Sequence, residues 1–462
     1  MASNKDILEA QRFNRRRLVT AFSSGTPRGR ELESRSPLHP MIVGAVLVVV
    51  MVAAAAVMGR FSPTLPTGWE NSTLIVVKGS GARYYTINGV LRPVTNVTSA
   101  HLLTQVGSYQ VSEVSESTLS GIPRGSQVGL TGVPDDVPGP AALHSDQWTT
   151  CAMEQGPHTW VAGSPSGTAP LDVALVANGS NTYVVADGLR HLIDPATSSG
   201  VLLALGLDSA PRTEVTATWL DVFEQGSNLT PLVINGAGTP AAGMPAGLSS
   251  AVIGTVIEVE DSAAVRRYVV TGDSTIAPLS DTADRLARVA GAQPVTGNPL
   301  RTTVAEIASL TVDPSGAAPA DWPAVIGSAA PTGSVPCAQL VLGQSGTSTR
   351  LLTMSADDAS RAAGSGFGST APPDGTAPMP AVTVQGGSGA LVRANSGGSL
   401  GVIVFISDTG TSHALGEDPA DSLARLGWSA DDATAIPTPW LALVPEGTAM
   451  TADAVWQTVG AL

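Results

Sequence analysis

Tyr84-Tyr85-Thr86-Ile87-Asn88-Gly89-Val90-Leu91-Arg92-Pro93-Val94-Thr95-Asn96 is the stretch from which the rest of the chain can be read. Aromatic and β-branched residues on either side of Asn-Gly predict a tight hairpin, because both turn residues tolerate the positive φ that a two-residue loop demands. Leu102 and Leu103 follow in a helical stretch. The same grammar returns 98 residues later: Tyr183-Val184-Val185-Ala186-Asp187-Gly188 leads into Leu189-Arg190-His191-Leu192-Ile193-Asp194, so that Leu-Arg-x-(Val/Leu)-x-(Asn/Asp) recurs, followed by Leu202, Leu203 and Leu205. Tyr268-Val269-Val270-Thr271-Gly272-Asp273 opens a third copy, with Leu279, Asp281 and Leu286 after it, and Phe405-Ile406-Ser407-Asp408-Thr409-Gly410 a fourth, with Leu415, Asp418, Leu423 and Leu426. In copies two and four, Leu205-Gly206 and Leu426-Gly427 end the helices. Trp219-Leu220 and Trp440-Leu441 mark the expected returning strand, for which copy three has no clear counterpart. A hairpin, a helix and a returning strand are too few to bury a core alone. The expected fold is therefore α+β, with four small hairpin-helix repeats packed on one another or on a central β-rich support.

The chain has 462 residues and a formal net charge of −14, which argues against nucleic acid as a partner because phosphate neutralisation needs clustered cations. From Met41 to Met58 there are 18 residues without a charge, enough for about 27 Å of helix at about 1.5 Å per residue. Residues 1–40 carry a net +4 and the remainder −18. That asymmetry places the N-terminus in the cytoplasm and the large domain outside it, with a single transmembrane helix between them. A cleaved signal peptide and a buried core helix fit less well, since eight basic residues precede the apolar run. Residues 5–22 have loose helical spacing and no Gly or Pro. Phe13, Leu18 and Phe22 stand beside Arg15, Arg16 and Arg17 there, and are the candidates for contact with a partner or with anionic membrane lipid; a plain topology signal is the bland alternative.

Cys151 lies between copies one and two, Cys337 between copies three and four. Outside the cytoplasm they can oxidise. A bond would tie the two halves and contribute on the order of 5 kcal/mol on the chain-entropy model; two free buried thiols are the alternative. Residues 364–380 read as a linker. The expected divisions are 1–40 (cytoplasmic, Arg-rich helix), 41–59 (transmembrane helix), 60–120 (repeat one), 121–170 (core segment with Cys151), 171–245 (repeat two), 246–312 (repeat three), 313–395 (core segment with Cys337 and linker) and 396–462 (repeat four and a C-terminal strand).

Signs of chemistry are sparse. A phosphate-binding loop needs Gly-Lys-Ser/Thr, and the two lysines, Lys5 and Lys78, do not follow glycine. Gly397-Gly398-Ser399-Leu400-Gly401 matches the nucleophile-elbow pattern, but the following Val402 to Phe405 read as a strand, whereas the elbow requires a helix. No catalytic residue, cofactor or metal is expected, and His191 and His413, each eight residues after its repeat's opening aromatic, read as structural.

Gln11-Arg12-Phe13 through Arg15-Arg16-Arg17-Leu18, the single apolar run, and Tyr84 to Asn96 with Ala100 and Leu102 resemble the EccB family, membrane subunits of actinobacterial type VII (ESX) secretion systems. The resemblance continues through Gly121-Ile122-Pro123-Arg124-Gly125, Gly132-Val133-Pro134, and Trp148 with Cys151. It implies a single-pass plasma-membrane protein with an elongated extracytoplasmic domain of repeats around a disulfide-tied core. It also implies assembly with the motor ATPase EccC, with EccD and EccE, and with further copies of itself. The function expected on that basis is a scaffold and gating subunit. An ATPase of the same system and a cell-wall-binding anchor are the competing readings.

Overall fold

The computed structural model describes residues 3–24, 38–60, 65–260, 265–289, 298–344, 346–364 and 381–460. The linker expected at 364–380 lies outside them apart from Gly364. Two compact units emerge, Met1–Leu65 and Pro66–Leu462.

The first unit holds two helices. α1 (Asn4–Ser24) begins where Asp6 accepts a hydrogen bond from the Ser3 amide at 3.1 Å, an acidic first turn that satisfies an otherwise orphaned donor. α2 (Leu38–Arg60) contains the apolar run, with Met41 to Val52 outward-exposed. Described side chains in α2 stop at residue 54; among the described residues no helix is long and apolar enough to cross a membrane.

In the second unit the opening stretch folds as its turn chemistry dictates. β1 (Thr73–Val77), β2 (Arg83–Ile87) and β3 (Val90–Pro93) form an antiparallel meander, α3 (Val97–Leu103) follows, and β4 (Gln110–Val114) returns parallel to β1. Asn88 and Gly89 take φ of 50° and 72°, the left-handed pair a tight hairpin needs. The Asn96 side chain accepts from the Ser99 amide and starts α3. A hairpin of β5 (Trp148–Met153) and β6 (Gly156–Val161) and the short β7 (Ala169–Pro170) come next. The second meander is β8 (Val173–Asn178), β9 (Asn181–Ala186) and β10 (Leu189–Ile193), then α4 (Ser198–Leu205) and β11 (Arg212–Glu214) parallel to β8; α5 (Ala217–Leu220) and β12 (Glu224–Gln225) complete that sheet.

The third is β13 (Val256–Glu260), β14 (Val265–Gly272) and β15 (Thr275–Pro278), with α6 (Asp281–Ala287), β16 (Leu300–Thr303) parallel to β13, α7 (Val304–Ile307) and β17 (Thr311–Val312). A second long hairpin, β18 (Ser334–Gly343) and β19 (Gly346–Ser355), leads through α8 (Ala356–Ala363) to β20 (Ala381–Val384). The last meander is β21 (Ala390–Ser396), β22 (Ser399–Ile406) and β23 (Ser412–Ala414), with α9 (Pro419–Leu426), β24 (Thr434–Pro437) parallel to β21, α10 (Thr438–Leu441) and α11 (Ala452–Gly460). Four of the five sheets thus share one connectivity: meander, helix, then a strand returning parallel to the first.

The fifth is the support. Its order is β20-β6-β5-β18-β19-β7, so the two long hairpins meet along β5 and β18, and the strand that follows each hairpin joins the outer edge of the other. Sheets one and four pack together through α3, α9 and α11, around Leu102, Leu103, Leu423, Leu426 and Val455. Sheets two and three pack through α4 and α6, around Val201, Leu205, Ala283 and Leu286.

One expectation is corrected. Trp219-Leu220 and Trp440-Leu441 are not in returning strands; they form the helical turns α5 and α10, just after those strands. Thr216 caps α5, accepting from the Trp219 amide at 3.2 Å. Pro439 in the first turn of α10 lacks the N–H that a ladder would require. The turns drive both indoles into the core over the central sheet, where Trp440 meets Trp148 edge to face at 6.4 Å and Trp219 donates to the Thr150 carbonyl at 3.3 Å. In sheet three, α7 takes the corresponding place without a tryptophan.

Candidate functional site

Cys151 and Cys337 face each other in register on β5 and β18, wholly buried, and are bonded to one another. Trp160, Leu352, Met354 and Ala359 close over them. The bond joins hairpins 186 residues apart in sequence at the middle of the support sheet, and the alternative of two free thiols is not realised.

The histidines are placed for structure. His191 on β10 and His413 on β23 are fully buried, and each ring Nδ1 lies 2.8 Å from a backbone carbonyl, of Ser227 and of Thr448. Gly226 and Gly447 pass against the two rings; a Cβ at Gly226 would collide with His191 and one at Gly447 would press tightly on His413. His158 on β6 meets the Thr383 hydroxyl at 2.8 Å and stacks near Trp160; burial holds its pKa down at about 4. Burial likewise lowers His413, and lowers His101, which stacks on Tyr109 at 3.9 Å.

Ser399 opens β22 after a Gly397-Gly398 hairpin turn with φ of 55° and 87°; a strand follows it, not the helix of a nucleophile elbow. Around Arg267 the charges balance: Glu258 at 3.2 Å, Asp281 at 3.1 Å and Asp284 at 3.8 Å, with Arg285 and Arg288 pairing back along α6. An open cleft of about 210 Å³ is lined by Met153, Glu154, Glu214, Thr216 and Trp219, and Thr216 is committed to capping α5. Among the described residues no group of three or more His, Cys, Asp or Glu could hold a metal.

The six residues singled out on α1 do not share one face. At about 100° per residue, Leu18 and Phe22 project beside Arg15, while Phe13 projects on the opposite side with Arg16 and Arg17. All three apolar side chains are exposed, Phe22 at 89%.

Sequence reasoning missed the contact that joins the helices of paired sheets. Arg425 on α9 donates to the Leu102 carbonyl at 3.2 Å and to that of Thr104, at the end of α3. Arg285 on α6 reaches the Leu205 carbonyl of α4 at 3.5 Å. Each arginine is braced by the aspartate four residues before it, Asp421 or Asp281. The shared Asp-x-x-x-Arg-Leu ending in Leu286 and Leu426 was the available signal.

Four meander sheets stand on a disulfide-tied support, and a basic helix and an apolar one precede them in the chain. The family model described as "Type VII secretion system ESX-1, transport TM domain B" matches residues 1–461, and the chain belongs to this EccB family. Among curated relatives, "ESX-2 secretion system ATPase EccB2" of Mycobacterium tuberculosis is 28% identical over 283 residues, 58% of this chain and 55% of that protein. "ESX-5 secretion system ATPase EccB5" of Mycobacterium marinum is 26% identical over 324 residues, 64% of this chain and 62% of that protein. The chain spans about half the length of the curated relatives it matches. In fold it is similar to a chain of an intact ESX-5 inner membrane complex, with a TM-score of 0.65, 20% identity, and coverage of 98% of this chain and 95% of that one. It is also similar to the EccB3 dimer of an ESX-3 core complex, with a TM-score of 0.64, 21% identity, and coverage of 83% and 99%.

Proposed function

We propose that this protein is a scaffold and gating subunit of a type VII secretion membrane complex, anchored by α2 as a single transmembrane helix with α1 in the cytoplasm and residues 66–462 outside. The observation that carries the reading is the family match over residues 1–461. The charge step of +4 against −18 around the apolar run supports the orientation. We read the four meander sheets as repeats, hung in pairs on the support, and keep the eight sequence divisions as the working domain map, except that the fourth repeat opens at β21 (Ala390–Ser396) and the chain closes on the helix α11 (Ala452–Gly460) instead of a strand. Solved relatives in an inner membrane complex and as a dimer support assembly with further copies of this chain, and we extend the partners to EccC-type, EccD-type and EccE-type subunits. Mild-detergent purification of the tagged chain should co-purify those subunits, and its deletion should abolish export of the system's substrates. Recovery of the chain alone, with export intact, would overturn the reading.

A second reading, intrinsic ATP hydrolysis, is favoured by the names that the relatives carry. Against it stands the absence of any Gly-Lys-Ser/Thr run in the 462 residues. ATP turnover by the purified chain, abolished by one substitution within it, would establish that reading.

A further inference from the structure

Two of the meander sheets place an arginine at the same point of their third strand, and only one of them gives it an acid. On β10, Arg190 donates from Nε to the Gln225 side chain at 3.2 Å and pairs with Asp221. Gln225 belongs to β12, which runs parallel along β10 with Leu189 opposite Glu224 and Arg190 opposite Gln225. On β3 the counterpart is Arg92, because Leu91 stands opposite Arg124 in the same parallel sense. Counted along that edge, Arg124 takes the place of Glu224, Gly125 that of Gln225 and Gly121 that of Asp221. Both acceptors of the arginine are gone, and a cation has replaced an acid.

The half-buried Arg92 side chain lies against bare backbone: a Cβ at Gly125 would come within 3.2 Å of its Cγ and 3.3 Å of its Cζ. A terminal nitrogen donates to the Ser126 hydroxyl at 3.1 Å, but the buried Nε has no partner among the described residues. Arg124 sits over the Tyr84 ring, 5.1 Å from its centre, and donates to the Tyr84 hydroxyl at 3.2 Å, again without an acid. Residues 71–112 and 117–134 contain no Asp or Glu.

We propose that Arg92, with Arg124 next along the same edge, receives a carboxylate side chain from a second copy of the chain, making between copies the pair that Asp221 makes with Arg190 within one. A rotation of the side chain off Gly125 presents Nε and a terminal nitrogen together to the two carboxylate oxygens, the fork that a planar guanidinium matches. The acceptor is a carboxylate because that is what the same arginine takes on β10. The source is another copy because the charges are complementary: residues 71–134 carry Lys78, Arg83, Arg92 and Arg124 against Glu113 and Glu116, whereas residues 394–462 carry eight acids against Arg425 alone. One partly exposed ion pair adds little affinity, so it orients copies already gathered in one complex. It rests on the proposed assembly and names a contact within it.

Carbodiimide coupling of the full-length chain in its own membranes tests it, because the reagent joins an amine to a carboxylate only where the two touch, and Lys5 and Lys78 are the sole native lysines. Arg92→Lys should give a covalent dimer several-fold above the parent chain, with peptide mapping joining the new amine to an Asp or Glu of the other copy. Arg190→Lys, whose acid lies in its own chain, should give no more dimer than the parent. Arg92→Glu should lower co-purification of a differently tagged second copy several-fold and Arg92→Lys should retain it, while both keep the Cys151–Cys337 bond that marks a folded support sheet. Dimer no greater than in the parent, or coupling of the new amine only within its own chain or to a different protein, would overturn the proposal. Co-purification of the other subunits with the parent chain, scored on the same membranes, separates that failure from failure of the assembly itself.

Discussion

Arg425 on α9 donates a hydrogen bond to the carbonyl of Leu102 on α3, 323 residues earlier, at 3.2 Å. The Arg425 side chain is 14% exposed and its guanidinium also bonds the Thr104 carbonyl, so it satisfies orphaned acceptors at the end of a helix from another sheet. Arg285 does the same for Leu205 more loosely, with a single bond at 3.5 Å from a side chain 40% exposed. The two paired blocks are thus closed by one device used at unequal strength.

Arg425→Ala should therefore cost about 2–3 kcal/mol, since hydrogen bonds from a charged group are lost and buried carbonyls are left unpaired. Arg285→Ala should cost less than about 1 kcal/mol, since exposure screens that pair. Denaturant unfolding of the two variants measures the difference; equal losses would mean the contacts to α3 and α4 are equivalent.

Replacing Cys151 and Cys337 together by Ser should destabilise the chain by about 2–5 kcal/mol. The loop that the bond closes is long, 186 residues, and the site is fully buried. Calorimetry of the double variant against the oxidised parent checks it, and reduction of the parent should reproduce the loss.

α1 presents Phe13 and Phe22 on opposite faces, which a membrane surface could not read together because a helix lying on lipid buries one side. A helix held between two protein surfaces reads both. Phe13→Ala and Phe22→Ala should each weaken co-purification of EccC-type and EccD-type subunits, and the double variant should release them while the chain stays in the membrane fraction. An intact complex from the double variant would reduce α1 to a topology signal.

Stability should fall between pH 6.5 and about 4. Burial lowers the pKa of His158 from 6.5 to about 4, so folding favours the neutral ring. Its contribution is complete above pH 6.5, declines as the unfolded chain takes up the proton, and is lost once pH reaches about 4, a swing of roughly 3 kcal/mol. His101 and His413, also lowered by burial, act in the same direction. Thermal unfolding across this range should show the slope, and His158→Gln, which can keep the bond to Thr383, should flatten it.

What the sequence determined by itself was local. Asn88-Gly89 and Asp187-Gly188 set hairpin turns because few other residues adopt positive φ; the run after Pro40 set a helix; Gly206 and Gly427, with φ of 72° and 79°, ended two more. Two cysteines in a domain expected outside the cytoplasm made one bond expected. Tertiary structure decided what distant segments do to one another. Thr73–Val77, an unremarked apolar run, becomes the strand on which both its hairpin and β4 assemble. The tryptophans turn helical because their indoles are worth more buried against the central sheet than spread along an edge. Pairing of sheet one with four and two with three and the register that sets Cys151 against Cys337 depend on side-chain shape across hundreds of residues. Dihedral preference and periodicity act over a few residues, so they carry no record of those contacts.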